Sequence, residues 1–105
     1  MSSSLGSNQY AFVLGVPFVS YGTSKAALNY VTTVLKGSFP SITFLTIHPG
    51  WVDTDMGNAA DAAPGMKPPT DVKDCAQAIR YYIQEKHSQN SGEYLDIMTG
   101  QIIAY

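Results

Sequence analysis

The chain has 105 residues, 45% of them hydrophobic and 13% charged, with a net charge of -2. That length supports one domain with a modest core, and the apolar content excludes a disordered chain. The weakly acidic balance contains no basic run, so neither nucleic acid nor a membrane is expected as a partner.

In chain order, Ser2-Ser3-Ser4-Leu5-Gly6-Ser7 reads as a strand end passing into a hydroxyl-rich turn. The simplest role for such hydroxyls is to satisfy turn backbone groups. Residues 9–19 read as a loop. Their apolar stretch has the length of a signal-peptide core, but no Lys or Arg precedes it and Pro17 interrupts it. It is also too short to span a bilayer.

Residues 21–36 turn helical. Ser20 is placed to cap the first turn and Gly37 to stop the last. Ala27, Leu28, Val31, Val34 and Leu35 fall at helical spacing and predict a buried face. With Ala26 and Tyr30 added, so little charge is left that the helix is expected to have partners on two sides.

Within this helix Tyr21 and Lys25 stand four residues apart, on one side and one turn from each other. A free phenol is a poor acid or base at neutral pH. An ammonium held beside a phenol favours the phenolate, so such a pair can move a proton to or from a substrate oxygen. The bare spacing also fits any ordinary helix face, and takes its meaning from its neighbours.

Residues 42–48 are rich in β-branched and aromatic side chains on both faces, which suits a strand covered by helices on either side. Pro49-Gly50 breaks it. Residues 58–67 are rich in Ala, Gly and Pro and carry no amphipathic pattern. Pro68-Pro69-Thr70-Asp71 then starts a second helix, with Thr70 as cap and Asp71 and Asp74 near its positive end. Val72, Cys75, Ala76, Ile79, Tyr82 and Ile83 form its predicted buried stripe, and Lys86 and His87 suit its negative end. After a polar turn at 88–92, residues 93–98 read as a final strand, and Thr99-Gly100 turns into residues 101–105.

Cys75, the only cysteine, allows no internal disulfide and makes a reducing, cytoplasmic setting the expectation. Its apolar flanks make it a packing residue rather than a nucleophile. His48 and His87 have no Cys or acidic partner at ligand spacing, so no metal site is expected.

Three segments in this order resemble the short-chain dehydrogenase/reductase family: Ser-Ser-x-x-Gly at 2–6, Tyr-Gly-Thr-Ser-Lys-Ala-Ala-Leu-Asn at 21–29, and His-Pro-Gly-Trp-Val-Asp-Thr-Asp-Met at 48–56. The resemblance runs over nearly the whole chain and is nearest to carbonyl reductases of the C-factor type. It implies an α/β fold, the C-terminal portion of a doubly wound parallel-sheet Rossmann-type fold. The family's opening Thr-Gly-x-x-x-Gly-x-Gly turn is absent, as is its Asn-Asn-Ala-Gly segment. Residues 1–105 therefore read as a partial domain lacking the N-terminal half, with Met1 an internal methionine.

By that resemblance Tyr21 would be the proton donor or acceptor, Lys25 its partner and a holder of the nicotinamide ribose, and Ser3 a donor to the substrate oxygen. Pro49, Gly50, Val52 and Thr54 would contact the nicotinamide end of the cofactor, although Thr54 also suits a helix cap. The distance from Ser3 to Tyr21 exceeds the family's commonest spacing, which leaves Ser2 and Ser4 as alternatives to Ser3. The implied cofactor is NADP or NAD, with NADP slightly preferred, and the implied substrate a small carbonyl or alcohol. A full-length form would be a homo-oligomer. Two other readings stand beside this one: a non-catalytic truncated fragment acting through protein contacts, and a small secreted α/β protein, which the uncharged leader disfavours.

Overall fold

The computed structural model describes residues 1–14, 18–60, 65–86 and 91–105. Pro17, His87, most of the turn at 88–92 and residues 61–64 of the Ala/Gly/Pro-rich segment lie outside them.

Two short strands pair in parallel: β1 (Thr46–His48) with β2 (Tyr94–Asp96), in the register Thr46–Tyr94, Ile47–Leu95 and His48–Asp96. Parallel neighbours need a long crossover, and the chain between them supplies it. Successive strand residues face opposite sides of a sheet, and here the two sides differ in chemistry. Ile47, Leu95 and Ile97 meet Cys75 in an apolar core, flanked by Leu45, Val52, Ala78, Ile79 and Tyr82. Thr46, His48, Tyr94 and Asp96 take the opposite side.

The pair is extended at both edges. Ser2 N–H donates to the Ile47 carbonyl at 2.7 Å, which lays the N-terminal segment along β1. On the other edge Ile102 bridges Leu95 in antiparallel fashion. The strand predicted over 42–48 is reduced to its last three residues, and Ile42 is exposed. The final strand is likewise shorter than 93–98. Beyond the paired residues the two runs stay linked by single bonds: Gly92 N–H donates to the Phe44 carbonyl at 2.6 Å and Ile97 N–H to the His48 carbonyl at 3.1 Å.

A 3-10 turn (Ser4–Gly6) leads into α1 (Asn8–Leu14), where a loop was expected. The Ser7 carbonyl accepts from Ala11 N–H at 2.9 Å and its hydroxyl from Tyr10 N–H at 3.4 Å. Ser7 thus starts the helix as a cap would, a signal masked by the aromatic run that follows.

The long helix α2 (Val19–Ser38) begins two residues earlier than expected. Phe18 is its N-cap residue and makes no side-chain cap bond, while Ser20 lies inside the first turn. Gly37 does not end it; the helix runs on to Ser38, with Phe39 at the C-cap. The predicted apolar face also fails to be buried: Leu28, Val31, Val34 and Leu35 are all exposed, and Asn29 is the residue of this helix that is buried. A two-stranded pair, in a molecule of 45 × 28 × 20 Å, is too narrow to cover a 20-residue helix.

After β1 comes a short α3 (Asp55–Ala59), then α4 (Val72–Tyr81) with a π-helical turn at Tyr82–Lys86. Asp71, not Thr70, caps α4, its carboxylate accepting from Lys73 N–H at 2.7 Å. Thr70 is held instead by bridging Val52. Of the predicted stripe Cys75 is buried and Ile79 and Tyr82 partly so, while Val72, Ala76 and Ile83 are exposed. Among the described residues no helix is long and apolar enough to cross a membrane.

Candidate active site

The Ser2–Gly6 segment and the start of α2 meet through two glycines. A Cβ on Gly6 would lie 2.8 Å from the Lys25 backbone carbon, and one on Gly22 would lie 2.7 Å from the Leu5 carbonyl oxygen. Neither position has room for a side chain, so the turn sits directly on the first turns of the helix. This contact sets the turn that follows Ser3 against the part of α2 that carries Tyr21 and Lys25.

Ser3 is extended and caps the 3-10 turn, its hydroxyl accepting from Leu5 N–H at 3.3 Å. That bond uses an oxygen lone pair and not the hydroxyl hydrogen. Tyr21 is partly open to solvent, at 39% exposure. Lys25 Nζ lies 5.4 Å from the centre of the Tyr21 ring and donates to the Met1 carbonyl at 3.3 Å. The same-side geometry read from the four-residue spacing is therefore present.

A buried polar cluster stands behind these three. One turn beyond Lys25, the Asn29 amide donates to the Gly6 carbonyl at 3.2 Å and accepts from the Ser2 hydroxyl at 2.6 Å. The Tyr94 hydroxyl donates to the Ser3 carbonyl, and the Ser4 amide donates to His48 Nδ1 at 3.1 Å. Burial pushes the Tyr94 phenol above its ordinary value, with Tyr21 and Tyr105 adding to the rise and hydrogen bonds from Ser2 and Asn29 opposing it. Burial pushes His48 below its ordinary value, partly offset by Asp96. Ser2, one of the alternatives to Ser3, is turned inward to Asn29.

The segment after β1 is built separately. Gly50 has a φ of 85°, a conformation that favours glycine, and packs against Thr70. Asp53 N–H donates to the Thr70 carbonyl at 2.8 Å and Thr70 N–H to the Trp51 carbonyl at 3.2 Å, which ties residues 51–53 down. The Thr54 hydroxyl accepts from Gly57 N–H at 3.0 Å and donates to the Val52 carbonyl at 3.4 Å, so in this structure it is a helix cap. Pro49, Gly50, Val52 and Thr54 all lie beyond the C-terminal end of a parallel strand, where sheets of this kind bind ligands.

Two clefts flank these elements. One of about 380 Å³ lies between the turn, α1 and α2, with Leu5, Ala11, Phe18 and Gly22 on its walls. A larger one of about 430 Å³ lies against α4 and the turn after β2, away from Tyr21 and Lys25. Cys75 sits in the apolar core, its thiol pushed up by burial, as a packing residue would be. Among the described residues no group of His, Cys, Asp or Glu could hold a metal ion.

No protein-family model matches the chain. Short-chain dehydrogenase RED3 of Pyricularia oryzae is 30% identical over 90 residues, a span of 84% of this chain and 36% of that protein. Carbonyl reductase Sniffer of D. melanogaster shares the fold at a TM-score of 0.78 and 32% identity, over 100% of this chain and 39% of that one. An NADPH-bound carbonyl reductase from chicken fatty liver gives 0.80 and 28%, over 99% and 40%. The chain thus spans well under half the length of each relative, and its fold is part of theirs.

Proposed function

We propose, for a chain related in sequence and fold to the short-chain dehydrogenases/reductases, that it carries the proton-transfer half of an NAD(P)-dependent site interconverting a carbonyl and an alcohol. The observation that supports this most directly is Lys25 Nζ lying 5.4 Å from the Tyr21 ring, with both residues on the helix that the Ser3 turn packs against.

Tyr21 would give its proton to the substrate oxygen in reduction and take it back in oxidation. Lys25 would hold positive charge beside the phenol and bind the nicotinamide ribose. Ser3 would donate its hydroxyl hydrogen to the same substrate oxygen, where negative charge develops. A bound nicotinamide supplies or accepts the hydride.

The residues present suit the nicotinamide end of such a cofactor. Tyr21 and Lys25 offer two donors, and residues 49–54 offer a loop at the correct end of a parallel strand. For Thr54 to reach a phosphate, its hydrogen would have to leave the Val52 carbonyl. The pyrophosphate end calls for a Gly-rich turn between a strand and a helix, which this sequence does not contain. The NADPH found in the chicken enzyme supports NADP over NAD. The cytoplasm remains the proposed setting.

A second reading is supported by the exposed apolar surface: the chain as it stands acts, if at all, through protein contact. Phe12 is 89% exposed, Val19 78% and Tyr30 72%, and such surface is typical of a contact site. In a longer form the same surface would serve a homo-oligomer.

The test is NADPH consumption with a panel of small carbonyls, by the chain alone and by the chain joined to the nucleotide-binding half of a related carbonyl reductase. The expected result is turnover by the joined form only. Saturable NADPH binding by the 105-residue chain alone would show a cofactor site built without a Gly-rich turn. No turnover by a folded joined form would leave the protein-contact reading.

A further inference from the structure

The hydroxyl turn is held from beneath by both strands at once. Thr46, His48, Tyr94 and Asp96 share one side of the strand pair, and the turn crosses that side. His48 Nδ1 faces the Ser4 amide at 3.1 Å, and the Tyr94 hydroxyl faces the Ser3 carbonyl. The two side chains thus grip the C=O and the N–H of a single peptide group, the Ser3–Ser4 linkage, from neighbouring strands.

We infer that His48 and Tyr94 are positioning residues that clamp the Ser3 turn against α2, and that the clamp closes only while the imidazole Nδ1 is unprotonated and the phenol retains its hydrogen. This role rests on Ser3 being the hydroxyl that faces the substrate. The chemistry follows from the donors and acceptors involved. A backbone N–H needs an acceptor, and an imidazole nitrogen accepts only without its proton; the imidazolium offers donors alone. Protonating Nδ1 would set two donors against each other in a part-buried site. A carbonyl needs a donor, and a phenolate offers none.

The titration of each group protects the clamp at neutral pH. The groups acting on His48 are the Ser4 amide from the turn and the Asp96 carboxylate from β2, and burial outweighs Asp96 in pushing the imidazole down. A depressed pKa means that this contribution is present above about pH 6.5 and is lost as pH falls through the lowered folded value. Tyr94 faces Ser2, Asn29, Tyr105 and Tyr21, and burial pushes it up. Its contribution is present below about pH 10 and is lost as pH rises through the raised folded value.

The experiment is nitrogen NMR on the dilute 105-residue chain, reading the His48 ring nitrogens and the hydrogen exchange of the Ser4 amide against pH. At neutral pH the expected His48 tautomer carries its proton on Nε2. Relative to the Ile103 amide, Ser4 exchange should quicken by about fivefold as His48 is protonated, the factor set by losing one ordinary hydrogen bond. His48→Leu should show the faster exchange at all pH values. His48→Asn, whose Oδ1 can replace Nδ1 as acceptor, should restore protection and remove the pH step. Tyr94→Phe should loosen Ser4 without shifting the tautomer.

A proton on Nδ1 at neutral pH, or equal Ser4 exchange in the Asn and Leu variants, would overturn the clamp. If His48→Leu fails to fold, the pH titration of the unaltered chain still decides. None of these readouts depends on turnover, so the clamp can fail while the proposed reaction stands. Conversely, Tyr21→Phe retaining full turnover in the joined form would remove the proposed reaction and leave the clamp in place.

Discussion

The two ends of α2 belong to different environments. At residues 21–29 one side of the helix is locked: Gly22 has no room for a side chain, Lys25 backs onto Gly6, and Asn29 is 2% exposed with both amide atoms bonded. From Tyr30 onward the same helix shows Tyr30, Val31, Val34 and Leu35 to solvent, and its C-cap residue Phe39 is exposed as well. The difference teaches that apolar spacing shows where a helix would gain from burial, whereas polar contacts at close range show where burial has occurred. The locked end carries the proposed chemistry. The open end has yet to find its cover.

The strongest test of the locked end is Tyr21→Phe in the joined form. General acid–base transfer contributes about 100-fold or more, so turnover should fall by at least that factor while the unfolding midpoint stays close to the parent. Activity within about tenfold of the parent, a barrier change under about 1.4 kcal/mol, would remove Tyr21 from the role. Lys25→Ala should lower kcat/KM by a smaller factor and raise the KM for NADPH. An unchanged KM with reduced kcat would mean that Lys25 serves the phenol and not the cofactor.

Next in size is Gly6→Ala. The added methyl would meet the Lys25 carbonyl carbon and Cβ at 2.8 Å and the Ala26 nitrogen at 3.0 Å, atoms that cannot swing aside. Overpacking of this kind costs about 1–3 kcal/mol, read as a lower urea midpoint. Gly37→Ala is the matching change at the open end, where a Cβ meets nothing within 4 Å. Because Gly37 lies inside the helix, alanine should stabilise there by up to about 1 kcal/mol. Equal effects at both glycines would abolish the contrast between the two ends.

Much of the locked end could be read from the sequence, and the reason is local. Tyr21 and Lys25 are four residues apart, and a helix fixes that relation wherever it packs. The packing role of Cys75 followed from its apolar neighbours in the same way. The roles of Asn29, His48 and Tyr94 are not legible in the sequence because their partners Ser2, Ser4 and Ser3 lie 27, 44 and 91 residues away. No spacing rule spans those distances. Asn29 left one trace, a lone amide among the apolar and small residues of its helix. α1 was missed because Tyr10, Phe12 and Val13 suggested a packed loop, although Ser7 stood ready as its cap. The buried face of α2 was read correctly as apolar and wrongly as covered, since two strands cannot cover it.

A smaller effect is expected at Thr46, beneath the locked end. Its side chain is 3% exposed, and its hydroxyl has no hydrogen-bond partner among the described residues. An orphaned buried hydroxyl costs stability, whereas an apolar group of the same shape does not. Thr46→Val should therefore raise stability by about 1 kcal/mol, seen as a higher urea midpoint with an unchanged slope. A clear loss instead would mean that the hydroxyl is bonded in solution, and that the polar cluster around Tyr94 includes Thr46 as well as His48.

The smallest effect on stability belongs to the open end, and there its size is the point. Tyr30, Val31 and Val34 are 72%, 49% and 47% exposed and form adjacent positions on one helix surface. Each changed to Ser should move the unfolding free energy by no more than about 0.5 kcal/mol, the usual range for exposed sites. Their combined effect should appear instead in association: sedimentation of the parent should depend on concentration, and the triple variant should stay monomeric to higher concentration. In the joined form the order should reverse if this surface lies against the added half, with each change then costing as a core truncation does. A loss above about 1 kcal/mol in the 105-residue chain itself would show that the surface is already buried there, and that α2 is one environment rather than two.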